Sequence, residues 1–275
     1  MMWTGKLVLP LSLLLATRSL LMAEPTVETV IQGLQNPVAV VLQPETDVIF
    51  VTPSHQAPTS ATMPMARRRA LLERARALDA LIVEDDYEFE MAYPTAPQPA
   101  LKSLDRDGRV IYVGSFSKSL FPGLRLGYLV GDETFIREVR SLRASVLRHP
   151  PGHVQRTTAH FLALGHYDAL MRRQARALHQ RREAMEAAIT AQGLEVAGLP
   201  GVGGSSFWLR APERMDTIRL FERLQEQSVL IEPGHNFFAG PSVPRNFYRL
   251  GYSSIPVARI AEGIALVAKA VTALS

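Results

Sequence analysis

Cysteine is absent from the 275 residues. Disulfides, thiolate nucleophiles and cysteine-bound zinc are therefore excluded, and the redox compartment leaves no mark on the sequence. A membrane-crossing helix needs roughly 20 apolar residues. The apolar stretch at residues 7–16 is only ten long and is soon followed by Arg18, so no membrane span is expected. Neither sign of charge dominates: 30 basic and 26 acidic residues leave a net charge of +4. That mild, dispersed excess does not describe a nucleic-acid surface. The densest basic clusters, Arg67 to Arg69 and Arg172 with Arg173, fall in helical patterns and read as solvated helix faces. His160, His166 and His179 form no convincing ligand set with carboxylates, so they read as surface or packing residues and no metal site is expected. The glycine-rich turn at residues 201–204 lacks both the Gly-x-Gly-x-x-Gly order and a following helix, so it does not read as a nucleotide fingerprint.

What remains is a globular composition, 47% hydrophobic and 20% charged, long enough for one large or two modest domains. Residues 110–130 organise it. Val110 to Val113 is a short β-branched and aromatic run of the kind that forms a buried strand, and Gly114 ends it. A turn rich in hydroxyls follows, with Ser115, Ser117 and Ser119 around Lys118. Pro122 and Gly123 break the chain, Arg125 follows, and a second apolar strand begins at Leu126. Hydroxyls and free amides at a strand end bind anions, and arginine adds a bidentate partner for phosphate.

Around this stretch the chain alternates strand and helix. Residues 48–51 and 80–83 read as buried strands, and residues 65–78 between them have helical spacing, with Pro64 suited to the first turn. Asp132 reads as the N-cap of a helix over residues 133–147. Residues 153–192 read as mostly helix with a break at Gly165. Residues 194–196, 206–209, 229–232 and 246–253 read as strands, and residues 216–227 and 257–274 as helices. The fold class expected is α/β, a mainly parallel sheet sandwiched by helices, followed by a smaller C-terminal α+β domain. The expected division is a large domain over residues 20–150, then a linking helix and small domain over 151–275. Residues 1–19 read as either a leader or a truncated domain edge.

The order Ser-Phe-Ser-Lys and then Pro-Gly-Leu-Arg-Leu-Gly-Tyr at residues 115–128 resembles the cofactor-lysine segment of fold-type I aminotransferases, which use pyridoxal 5′-phosphate. Pro53-Ser-His-Gln-Ala-Pro-Thr59 resembles a loop in the C-terminal aminotransferase-like domain of MocR-type regulators of the GntR family. The likeness extends over residues 20–274. It implies Lys118 as the catalytic lysine, linked to the cofactor as a Schiff base, with Ser115, Ser117 and Arg125 on the phosphate. It also implies Asp85 on the pyridine nitrogen, with Asp86 as fallback, because successive strand residues face opposite ways. Tyr87 would serve the phenolic oxygen. The asparagine that usually does so is replaced by Ala57, for which His55 or Gln56 could substitute. Arg249, in the alternating run 246–253, matches the arginine that grips the substrate carboxylate; a salt bridge within the small domain is the other reading.

The sequence departs from the family in three further places. The upstream glycine-containing phosphate segment is missing, Val27 stands where an aromatic ring stacks on the cofactor, and Ser60 replaces a glycine. The resemblance implies a cytoplasmic, homodimeric aminotransferase moving an amino group between an amino acid and a 2-keto acid. The alternatives are a non-catalytic effector-sensing domain without its winged helix, hence without direct DNA binding by this chain, or an inactive remnant. If residues 1–23 are a signal peptide, the protein is exported instead.

Overall fold

The computed structural model describes residues 48–93, 95–198, 201, 203–238 and 242–274. The leader or domain edge expected over residues 1–19, the start of the large domain and the position of Val27 lie outside the described residues.

The first sheet holds strands β1 (Val48–Val51), β2 (Leu81–Asp85), β3 (Val110–Ser115) and β4 (Gly127–Val130), in that spatial order. β1, β2 and β3 run parallel, and β4 returns antiparallel to β3. Between β1 and β2 lies helix α1 (Met65–Ala77), and between β2 and β3 the short helix α2 (Leu101–Leu104). Crossovers of this kind are what parallel neighbours require. Ile49, Val51, Leu71, Ala75, Ile82, Leu101 and Val110 form the core of this part.

One expectation for this part is corrected. Arg68, Leu71 and Ala75 are the buried stripe of α1, at helical spacing. The middle arginine of the 67–69 cluster therefore points inward and is fully buried, rather than lying on a solvated face. Its guanidinium donates to the carbonyls of Met63 at 3.0 Å, Pro99 at 2.9 Å and Pro53 at 2.9 Å. Those bonds supply what a buried cation needs, and they fasten the loop after β1 to α1.

Helix α3 (Phe116–Ser119) follows β3 directly, capped by the Ser115 hydroxyl, which accepts from the Ser117 amide. Helices α4 (Glu133–Val146), α5 (Gly152–Ala163) and α6 (His166–Ala191) come next. Asp132 caps α4 as the sequence predicts, accepting from the amides of Thr134 and Phe135. Gly165, at φ 74°, separates α5 from α6.

The second sheet is antiparallel, in the order β5 (Glu195–Val196), β6 (Ser206–Arg210), β8 (Phe247–Gly251), β7 (Glu232–Pro233). It packs with α6, α7 (Thr217–Gln225) and α8 (Val257–Leu274) around Leu209, Leu220, Leu224, Tyr248, Tyr252, Ile260 and Val267. The strand expected at residues 229–232 is corrected here. Only Glu232 and Pro233 pair with β8, because the chain first leaves α7 with Ile231 buried and Leu230 exposed.

Met91 and Tyr93, which follow β2 in the chain, belong to this second core. The two sheets are thereby joined by the segment that leaves the carboxyl end of β2.

Candidate active site

Parallel strands deliver their following loops to one edge of the sheet, and ligands of open α/β sheets gather there. At that edge the chain sends out the loop after Val51, the acidic run after Glu84 and the turn with Lys118. Register fixes their neighbourhood: Val51 lies opposite Glu84, and Asp85 opposite Val113.

The three acidic residues that end β2 separate by face. Glu84 is fully buried and accepts from the amides of Leu101 and Lys102 at 2.7 and 2.8 Å. Burial pushes its carboxyl above the usual range, and those two amides pull it back. Asp86 is buried and accepts from the Ser54 hydroxyl at 2.9 Å. Burial raises it too, against the pull of that hydroxyl and of Arg68. Asp85, on the opposite face of the strand, is exposed, and partial desolvation raises its carboxyl. Of the three, Asp85 is the one that faces open space.

Lys118 is half-exposed on α3. Its Nζ lies 5.6 Å from the centre of the Tyr87 ring and 3.5 Å from Oε1 of Glu88. Glu88 is buried and also accepts from the Ser205 hydroxyl at 2.7 Å. Tyr87 has its phenol pushed up to about 12, by burial first and then by the Glu88 charge. The Arg249 charge acts on it in the opposite sense, and Asp85 adds to the rise. These four residues therefore share one electrostatic neighbourhood with Lys118.

His55 is buried rather than on the surface. Its Nδ1 lies 3.0 Å from the Glu88 carbonyl, which can only accept, so that nitrogen carries the proton. Gln56 is engaged within its own loop, accepting from the Thr59 hydroxyl at 2.5 Å. Ser60 stands where the family has glycine and adopts φ 56°. This left-handed conformation explains the usual glycine. The serine's hydroxyl lies 3.0 Å from the Ser206 carbonyl and 3.2 Å from the Ser206 hydroxyl.

Arg125 is exposed and also left-handed, at φ 49°. It precedes the point where Phe116 donates its amide to the Leu126 carbonyl and Gly127 pairs with Ser115. The backbone thus brings Arg125, Ser115 and Ser117 to the same corner of the sheet.

Arg249 lies on β8 between Tyr248 and Leu250, whose side chains enter the second core. Strand alternation turns Arg249 the other way. Its Nε donates to the Ser206 hydroxyl at 2.9 Å, and Nη1 donates at 2.7 Å to Glu232, directly opposite on β7. The salt bridge anticipated as the other reading is present, and the charge of Arg249 also reaches Tyr87. Glu88, Ser205 and Ser206 were not anticipated. Glu88 had a visible signal, its place directly after Tyr87 in the acidic run. The two serines had none.

The chain belongs to the family of aminotransferases of class I and II, matching it over residues 30–265. It is 59% identical over 223 residues to the HTH-type transcriptional regulator TauR of Rhodobacter capsulatus, covering 81% of this chain and 46% of that protein. It is 32% identical to the probable rhizopine catabolism regulatory protein MocR of Rhizobium meliloti, covering 81% of this chain and 45% of that one. Among solved structures it resembles the kynurenine aminotransferase of Pyrococcus horikoshii in complex with PMP. The TM-score is 0.76 at 31% identity, covering 82% of this chain and 56% of that one. The chain spans about half the length of the curated relatives it matches. The α/β fold and the kinship with MocR-type regulators expected from residues 20–274 hold, and pyridoxal 5′-phosphate is the cofactor of this family.

Proposed function

We propose that this chain binds pyridoxal 5′-phosphate on Lys118 and, through it, exchanges an amino group between an amino acid and a 2-keto acid. The observation that carries the reading is the setting of Lys118. Its amine stands at the carboxyl edge of a parallel sheet, half-open to solvent, over the Tyr87 ring and beside a buried carboxylate. When bound, the cofactor supplies an aldehyde for amines to condense with and an electron-withdrawing ring that stabilises a carbanion.

The donor set of this chain fits that group. Lys118 offers the amine. The exposed Asp85 carboxylate suits a protonated ring nitrogen. The Ser115 and Ser117 hydroxyls with the Arg125 guanidinium suit the phosphate dianion, and the Tyr87 hydroxyl suits the phenolic oxygen. Arg249 suits a substrate carboxylate, for which Glu232 now stands in at Nη1. Once displaced by substrate, the Lys118 amine is the base that takes the α-proton and returns it. We further propose that a homodimer forms, as the resemblance implies. Phe121, Tyr128, Leu129 and Val130, exposed around β4, are apolar surface that such contact would cover.

A second reading is favoured by the 59% identity to a transcriptional regulator. In it the same site holds the cofactor and an amine as an effector, without turnover. Both readings predict that the chain, loaded with pyridoxal 5′-phosphate and dialysed, keeps a visible absorption band that Lys118→Ala lacks. Bleaching of the band by an amino acid together with release of the matching keto acid supports exchange. Bleaching without keto acid supports sensing. A folded protein with no band overturns both.

A further inference from the structure

Glu88 is only 4% exposed. A carboxylate that deep is costly unless hydrogen-bonded and matched by a cation. Ser205 supplies the hydrogen bond, at 2.7 Å, from the start of β6. Lys118 supplies the cation, at 3.5 Å, from α3. The backbone of Glu88 is held as well, because its carbonyl takes the His55 Nδ1 proton at 3.0 Å. Glu88 is therefore held at both its side chain and its backbone, whereas the lysine is 47% exposed on a four-residue helix.

We propose that Glu88 is the positioning residue for the Lys118 amine: it holds that nitrogen over the Tyr87 ring. The face of Tyr87, within the ~6 Å at which a ring attracts a cation, completes the cradle. The other groups around Glu88 do not compete for this role. Tyr87 beside it, Tyr93 in the segment beyond and Tyr252 after β8 all feel its charge, and all three phenols are raised, foremost by burial. They therefore stay neutral near pH 7. Ser205 carries no charge. Lys118 is left as the cation that meets the carboxylate directly.

The proposal deepens the reading of Lys118 as cofactor lysine, but its test needs no cofactor. Trace acetylation of the full chain at one fixed pH, read at Lys118 by peptide mass spectrometry, gives the rate at which a reagent reaches this amine. The exposed Lys269 on α8 serves as internal reference. Two unit charges 3.5 Å apart attract even in a water-like dielectric, so the pair holds the amine back from the reagent.

Glu88→Gln, which releases the amine from its partner, is expected to label Lys118 severalfold faster and to leave Lys269 unmoved. Glu88→Asp, which keeps the charge on a shorter arm, is expected to fall between wild type and Glu88→Gln. It also carries the test if Glu88→Gln fails to fold. A Lys118 labelling rate, relative to Lys269, that stays at the wild-type value in the folded variants overturns the proposal. That result is distinct from failure of the cofactor reading, which would appear as an unchanged visible spectrum after wild-type protein is loaded with pyridoxal 5′-phosphate.

Discussion

Tyr93 and Tyr252, 159 residues apart in sequence, meet hydroxyl to hydroxyl at 2.8 Å. One hydroxyl donates to the other, and the remaining proton goes to the Gly204 carbonyl, whose oxygen lies 2.5 Å from the Tyr93 hydroxyl and 2.9 Å from that of Tyr252. Tyr93 ends the segment that carries Asp85, Tyr87 and Glu88; Tyr252 follows the strand that carries Arg249. This contact sets the distance between the lysine side of the site and the arginine side. Gly204 sits between them at φ 82°, and a side chain at the neighbouring Gly203 would run into the Met91 carbonyl.

The first prediction tests that contact. Tyr93→Phe and Tyr252→Phe should each destabilise the protein by about 1–2 kcal/mol, because each leaves a buried acceptor short of one donor. The double variant should lose less than the sum, since the two hydroxyls share one partner. Urea unfolding of the four proteins checks this; strict additivity would mean that the hydroxyls act separately.

Arg68 carries the second. Its three bonds to the carbonyls of Met63, Pro99 and Pro53 hold the loop in which Ser54 and His55 sit, and its charge opposes those of Glu84 and Asp86. Arg68→Met keeps the length and removes every donor. A loss of about 3–5 kcal/mol is expected, the cost of unpairing buried polar groups. Chemical denaturation measures it, and a loss under 1 kcal/mol would show that water replaces the guanidinium.

The third concerns Arg249 and Glu232. Their ion pair is partly exposed, so it adds under about 1 kcal/mol to stability. Glu232→Gln should leave the melting temperature nearly unchanged. If Arg249 receives substrate carboxylates, the same change should tighten binding of a dicarboxylate such as maleate severalfold, because Nη1 is released. Arg249→Lys should weaken it more than tenfold through loss of the two-pronged grip. Spectral or calorimetric titration separates these outcomes, and equal affinity in all three proteins would remove Arg249 from the site.

A pH dependence follows from Asp86. Burial raises its carboxyl in the folded protein above the unfolded value. The folded state therefore holds that proton more tightly, and the stability it gives is full below the unfolded value near 4 and is lost as pH rises through the raised one. Asp86→Asn keeps an acceptor for Ser54 and removes the charge. The variant should gain stability relative to wild type between pH 4 and pH 7. A constant difference in melting temperature over that range would contradict the sign.

Much of this was legible in the chain itself. The runs Val48-Ile-Phe-Val51 and Val110-Ile-Tyr-Val113 are strands because β-branched and aromatic residues suit a buried sheet. Residues 115–128 carried the family in their order alone, since a hydroxyl turn between two strands leaves few places for a lysine. Arg68 was misread because three adjacent arginines look alike until a helix is rotated against a core. The end of β2 showed that Asp85 and Asp86 face opposite ways without showing which way was open, because alternation fixes relative facing and packing fixes direction.

The sequence by itself determined the class of fold, the strand before the Lys118 turn and the strand that bears Arg249, because each is written in local pattern. Only the tertiary structure decided the company these residues keep. Glu88 against Lys118, Ser205 against Glu88, and Ser206 between Ser60 and Arg249 join segments from 30 to 146 residues apart. No local period records such pairings; they arise when two separate cores are closed against one another and every buried charge and hydroxyl must find a partner.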